Sequence, residues 1–294
     1  MHAAGSTLPA PSAAPPASAG PSPARRGPDP QPCADAYARL ARVFPGLRAE
    51  VAAPRSGGGW TTGADLAGDP GVLRRTVEAE TRCGPERYGG PLRPDVAAGF
   101  ALHRYAWPAC LLFSLPWFLE RRVPRLSPAA VSVHRAAGRA TAAVDSFACL
   151  PGDPAAGLPG ARTVAGAAEL RAELLAAVAA HLEPVLAAFR PLLRRGPRTL
   201  WATATDELVE GLWYAGSLLG EEERAAAELS ALLPGGTAPF AGGADFRLLD
   251  QGPGRAPMRT RTRVSCCLHY TVRPEAACFG CPRGRGGGET GCGS

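Results

Sequence analysis

Apolar residues first recur at helical spacing from Asp35, where Tyr37, Leu40 and Val43 share one face, and the pattern predicts a short helix. A Gly-rich interruption at 56–59 separates it from a second helix expected over about Pro70 to Arg82. The stretch 94–121 is apolar almost throughout, and Pro108 and Pro116 are expected to kink or divide it. Its most hydrophobic part, Tyr105 to Leu119, is fifteen residues, too short and too interrupted for a membrane span, and reads as a buried segment. Between Ala130 and Val144 the period changes to two. Val131/Val133 and Ala140/Ala142/Val144 alternate around Ala136-Ala137-Gly138, which predicts a β-hairpin. Beyond a Pro/Gly loop at 151–160, Leu170, Leu174, Val178, Leu182, Val185 and Phe189 form one apolar helical face with a kink expected at Pro184. Another helix should open at Pro197 and close at Gly220, burying Leu200, Ala204, Leu208, Leu212, Ala215 and Leu219. Glu221, Glu222 and Glu223 suit the first turn of a last helix that Pro234 stops, and 234–257 reads as a Gly/Pro-rich linker.

These patterns predict an α+β fold, a mostly helical domain with a small β-hairpin or sheet element. Four segments are expected: a disordered Pro/Ala-rich leader at 1–32, a main domain at 33–255, a cysteine-bearing segment at 256–283 and a disordered Gly-rich tail at 284–294. At 294 residues the chain can bury a sizeable core without disulfides. Lys, Ile and Asn are absent, so all 32 basic residues are Arg, a coding bias that weakens any reading of single arginines. The net charge of +6 is modest and argues against a nucleic-acid-binding role. Much of the excess lies near the C-terminus, where Arg255, Arg259, Arg261, Arg263, Arg273, Arg283 and Arg285 face only Glu275 and Glu289 after Asp250. Such a field favours an anionic partner or an electron-rich centre. Residues 1–30 hold no continuous apolar run of the secretory kind, so a cytoplasmic, reducing location without stable membrane insertion is expected.

Four of the nine cysteines, Cys266, Cys267, Cys278 and Cys281, form C-C-x10-C-x2-C. Four thiolates suit either an iron-sulfur cluster or a structural zinc. The C-x2-C half serves both, because a tight turn aims two sulfurs at one metal. The vicinal half is less neutral: adjacent side chains in extended backbone point oppositely, so two successive thiolates do not readily chelate one tetrahedral ion. A two-iron cluster is larger and accepts such a pair after local adjustment, though the spacing is atypical for it too.

The motif resembles that of the ferric-siderophore reductases of the FhuF type, whose hallmark is this C-terminal pattern binding a [2Fe-2S] cluster. "SCCLHY" looks like the family's Arg-x-Cys-Cys-Leu-Tyr-Tyr stretch, "GPRTLWATATDELVEGL" resembles its helix with an Arg-x-Leu-Trp opening, and "HLEPVLAAFRPLLR" resembles the helix before it. The likeness covers about two-thirds of the chain and weakens before residue 90. His269 stands where Tyr is common, Phe279-Gly280 where Gly-Asp is frequent, and Val264 shifts the preceding Arg. The resemblance implies a [2Fe-2S] cofactor on Cys266, Cys267, Cys278 and Cys281. It further implies a ferric-reductase activity in iron homeostasis, with a ferric siderophore of hydroxamate type as substrate and an external electron donor. Arg259, Arg261 and Arg263 would then attract the iron complex and stabilise the reduced centre.

The rival reading is a metal-stabilised siderophore-binding or interaction protein without catalysis; a cluster-based sensor on nucleic acid is disfavoured by charge and by the lack of a helix-turn-helix signal. Cys33, Cys83, Cys110 and Cys149 lack metal spacing and read as buried free thiols, and Cys292 as a disordered bystander. "RGRGGG" follows no strand and opens no helix, so a phosphate loop is not supported, and no G-x-G-x-x-G marks a flavin or nicotinamide site. His269 is read either as a donor to a cluster sulfur or as a strand-surface His, with equal weight. Core packing is the expected role of Trp201 and Trp213.

Overall fold

The computed structural model describes residues 31–275 and 280–282. The leader, the tail with Cys292 and the RGRGGG run, and Cys278 lie outside the described residues. The chain enters through helix α1 (Ala34–Val43), strand β1 (Arg48–Val51) and strand β2 (Trp60–Thr62). Helix α2 (Gly63–Gly68) follows at once, started by a reciprocal cap in which Thr62 Oγ1 accepts from the Asp65 amide and Asp65 Oδ2 from the Thr62 amide. Helix α3 (Pro70–Tyr88) begins where Asp69 accepts the Gly71 and Val72 amides, and it ends at Gly89 in the left-handed region. It runs six residues past the expected end at Arg82, carrying Pro85 inside it, and leaves Cys83 half-exposed on its surface, where Cys33, Cys110 and Cys149 are buried as expected.

Helix α4 (Pro94–Glu120) corrects the expectation that prolines would divide the apolar stretch: Pro108 and Pro116 lie inside one continuous helix. Each proline removes a backbone hydrogen bond. Burial compensates, since α4 is the central rod against which α1, α3, α5 and α6 pack, and its residues 105–106 and 108–118 are all buried. Strand β3 (Arg122–Pro124) and a 3₁₀ turn lead into the expected hairpin, β4 (Val131–His134) and β5 (Arg139–Ala142), antiparallel in the register Val131 to Ala142. The hairpin belongs to a four-stranded sheet of order β1-β5-β4-β2, in which β1 runs parallel to β5. Strands β6 (Phe147–Cys149) and β7 (Ala161–Thr163) join β3 in a second sheet.

Helix α5 (Ala167–Leu193) buries all six residues of the expected stripe, with Pro184 and Pro191 inside a continuous helix. By length and composition it could cross a membrane. Here its apolar face packs on α4, together with a fully buried His181. Helix α6 (Pro197–Leu218) and helix α7 (Glu222–Leu232) match the predicted pair. The linker expectation for 234–257 fails in part, because strand β8 (Phe246–Leu249) pairs antiparallel with β9 (Met258–Arg261). Four residues whose partner lies about ten positions on leave little periodic signal. The result is an α+β protein in which helices form the core and small sheets flank it.

Candidate metal centre

The segment carrying Cys266 and Cys267 leaves β9 and is tied down by α6. Arg261, the last residue of β9, is buried, with 1% of its side chain exposed, and reaches two acids one turn apart on α6. Its guanidinium donates to Asp206 Oδ1 at 2.9 Å, to Glu210 Oε1 at 2.6 Å and, through Nε, to the Ala244 carbonyl at 3.0 Å. Asp206, fully buried, also accepts the Val264 amide on Oδ1 at 3.0 Å, and the Ser265 amide and hydroxyl on Oδ2 at 2.8 and 2.6 Å. One carboxylate therefore fixes the two residues that precede Cys266. Oriented this way, charge-assisted bonds are short and directional, and they hold a ligand-bearing loop against rotation.

The C-x2-C half meets the same strand. The Arg263 amide donates to the Gly280 carbonyl at 2.8 Å, linking a residue three before Cys266 to the residue before Cys281. Gly280 also approaches so closely that a Cβ there would lie 2.5 Å from the Arg261 carbonyl oxygen. Only glycine fits this contact. After the pair, Leu268 takes φ 63°, in the left-handed region, and turns the chain into a short 3₁₀ turn at His269–Thr271. Strained backbone of this kind costs about 1 kcal/mol or more and persists only where the surroundings impose it.

A cavity of about 420 Å³ opens beside Cys266 and Cys267, with Phe100 and Leu102 of α4 supplying apolar wall. His103 stands at its edge with Nδ1 2.7 Å from Glu207 Oε2; the carboxylate raises the imidazole pKa above its ordinary value, against the opposing effect of burial. Arg263 lines the same cavity and is held charged by Asp206, Glu207 and Glu210, which outweigh its burial. Farther in, the buried Glu80 gathers Arg87, Arg104 and Arg135 and accepts the Tyr88 hydroxyl, whose pKa burial and that bond push up to about 12.

No family model and no curated protein matches this chain.

Of the predicted cluster ligands, Cys266, Cys267 and Cys281 are half-buried, and Cys278 lies outside the described residues. Among the described residues, no three His, Cys, Asp or Glu side chains come together as a metal-binding group. What fits a shared centre is the backbone: the two motif halves are joined through Arg263 and Gly280, and the thiols are soft donors of the type iron-sulfur clusters use. The three predicted arginines separate. Arg263 reaches the cavity, Arg261 is consumed as the anchor between β9 and α6, and Arg259 pairs with Glu223 away from the cavity. Trp201 and Trp213 both pack at the core edge, against Phe240 and Phe246 respectively. Sequence reasoning passed over Asp206, Glu207 and Glu210. Acids interrupting the buried stripe of α6 beside Leu208, two of them at i and i+4, were the available signal. His103 and Arg104 carried none, lying on a helix whose pattern is dominated by packing, and Arg87 is one of many charged residues on the mostly polar α3.

Proposed function

We propose that this chain is a [2Fe-2S] ferric-siderophore reductase that holds its cluster through Cys266, Cys267, Cys278 and Cys281 and releases Fe(II) in the cytoplasm. The observation that supports this reading is the Arg263–Gly280 link, 2.8 Å long, which ties the residue before Cys281 to the backbone three residues before Cys266, although fourteen positions separate Cys267 from Cys281. A cluster bound there supplies one electron at a time, matching the one-electron demand of Fe(III).

The remaining parts are the protein's own. Asp206 sets the loop that presents Cys266, and Arg261 holds that carboxylate in place. The cavity beside the thiols gives an iron complex a position within electron-transfer reach, with Phe100 and Leu102 excluding water on one wall. Siderophore oxygens are hard donors that hold Fe(III) tightly; one added electron lowers the ion's charge and loosens their hold. His103, kept protonated further up the pH scale by Glu207, can offer a proton to a siderophore oxygen as the metal departs. The electron for a cluster held there would have to come from an external donor.

Mixing the anaerobically reduced protein with a ferric siderophore and an Fe(II)-specific chelator tests this. Stoichiometric appearance of the coloured Fe(II) chelate, lost in Cys267→Ser, is expected; ligand binding with no Fe(II) formed would favour a purely binding role and reject the reductase.

A further inference from the structure

The cavity beside Cys266 and Cys267 is not electrically neutral. Arg87, Arg104, Arg195 and Arg263 line it, against two acids, Asp95 and Glu207. Both acids are already engaged. Asp95 accepts from Arg93 at 3.2 and 3.0 Å, and Glu207 is held by His103. Behind the wall, Glu80 is the single carboxylate shared by Arg87, Arg104 and Arg135, so that cluster carries more positive than negative charge. Arg195 forms no ion pair with any described residue.

Two of the cavity arginines also keep donors without acceptors. Arg104 Nε and Arg263 Nε are buried and make no hydrogen bond, because their nearest carboxylates, Glu80 and Asp206, stand 3.7 and 3.6 Å away. At that distance attraction persists but a hydrogen bond does not. What favours an anionic ligand is the lining as a whole, four arginines against two engaged acids, with Arg195 free of any ion pair to a described residue. Arg104 is the pivotal residue. It lines this cavity and a second one of about 530 Å³ bounded by Trp60, His134 and Arg135, and Arg87 borders both.

We propose that the cavity selects ferric complexes of net negative charge, of the catecholate or carboxylate class, over neutral trihydroxamate complexes, with Arg104, Arg195 and Arg263 receiving the anionic oxygens and Phe100 supporting the ligand's apolar part. This rests on the reductase reading for the identity of the cargo and changes the expected hydroxamate class.

Gallium(III) complexes separate binding from electron transfer, since gallium is not reduced under these conditions. Calorimetric titration of the full chain with a gallium tricatecholate and with a neutral gallium trihydroxamate should give at least about tenfold tighter binding of the former at low ionic strength, shrinking as salt rises. Arg104→Gln and, independently, Arg195→Gln should each weaken the anionic complex by about tenfold or more and leave the neutral one unchanged, as loss of one charge-assisted contact implies. Arg195→Gln removes no internal ion pair, so it separates ligand binding from folding. Equal affinity for the two gallium complexes, or a loss in both variants that is the same for both, would overturn the selectivity. Failure of the reduced protein to yield Fe(II) from either ferric counterpart would instead sink the reductase reading, while the gallium affinities decide this one.

Discussion

Asp206 spends both carboxylate oxygens on groups that lead into Cys266, and its partner Arg261 is equally buried. Removing one member of such a pair leaves the other charge in the interior, at a cost of about 3 to 5 kcal/mol. Asp206→Asn should therefore lower unfolding free energy by that order in urea titration and speed exchange of the Val264 and Ser265 amides. Unchanged exchange at those two amides would mean that the carboxylate does not hold the loop. His181 offers a second residue-scale test. It is fully buried, lies 2.9 Å from the Tyr105 hydroxyl and 3.0 Å from the Leu126 carbonyl, and burial lowers its pKa to about 4. Its two contacts suit a neutral ring, with Nδ1–H donating to Leu126 and Nε2 accepting from Tyr105. The unfolded chain, with an ordinary imidazole pKa near 6.5, binds more protons than the folded chain between that value and about 4. His181 thus contributes stability that is present above pH about 6.5 and is lost as pH falls toward about 4, at most about 3 kcal/mol. Melting temperature should drop over that window, and His181→Gln should flatten the drop; an identical slope in the variant would rule His181 out as its source.

At the scale of elements, the contact between Gly280 and β9 joins the cysteine segments. A Cβ at 280 would stand 2.5 Å from the Arg261 carbonyl, so Gly280→Ala must push the turn off the strand. Exchange of the Arg263 amide, which donates to Gly280, should quicken by about tenfold, corresponding to roughly 1.4 kcal/mol. The same rate in both proteins would show that the contact does not hold the turn. Helices were the legible part of this chain. The stripes of α5 and α6 and the period-two hairpin follow directly from spacing, because each has one face to bury. Continuity of α4 through Pro108 and Pro116 was not legible, since local backbone chemistry predicts a break and only packing on several sides prevents it. Strands β1, β2 and β8 are three or four residues long, and their partners are set by topology rather than by pattern.

For the whole molecule, a helical core built around α4 presents α6 acids on one side, and β9 crosses to them through Arg261 before releasing the chain toward Cys266. The cysteine motif was plain in the sequence, as a local pattern. Its setting was not: the cavity draws Arg87 from α3, His103 and Arg104 from α4, Arg195 from the turn after α5 and Glu207 from α6, residues that only the fold assembles. That assembly turns a cysteine-rich segment into a site with a cavity, a positive field and a fixed loop. Its central claim is that four thiols hold a two-iron cluster, and metal and acid-labile sulfide analysis of the anaerobically purified full chain tests it most directly. The account predicts a reddish protein with about two irons and two sulfides per chain and an EPR signal on one-electron reduction; a colourless protein carrying one zinc and no sulfide would contradict it.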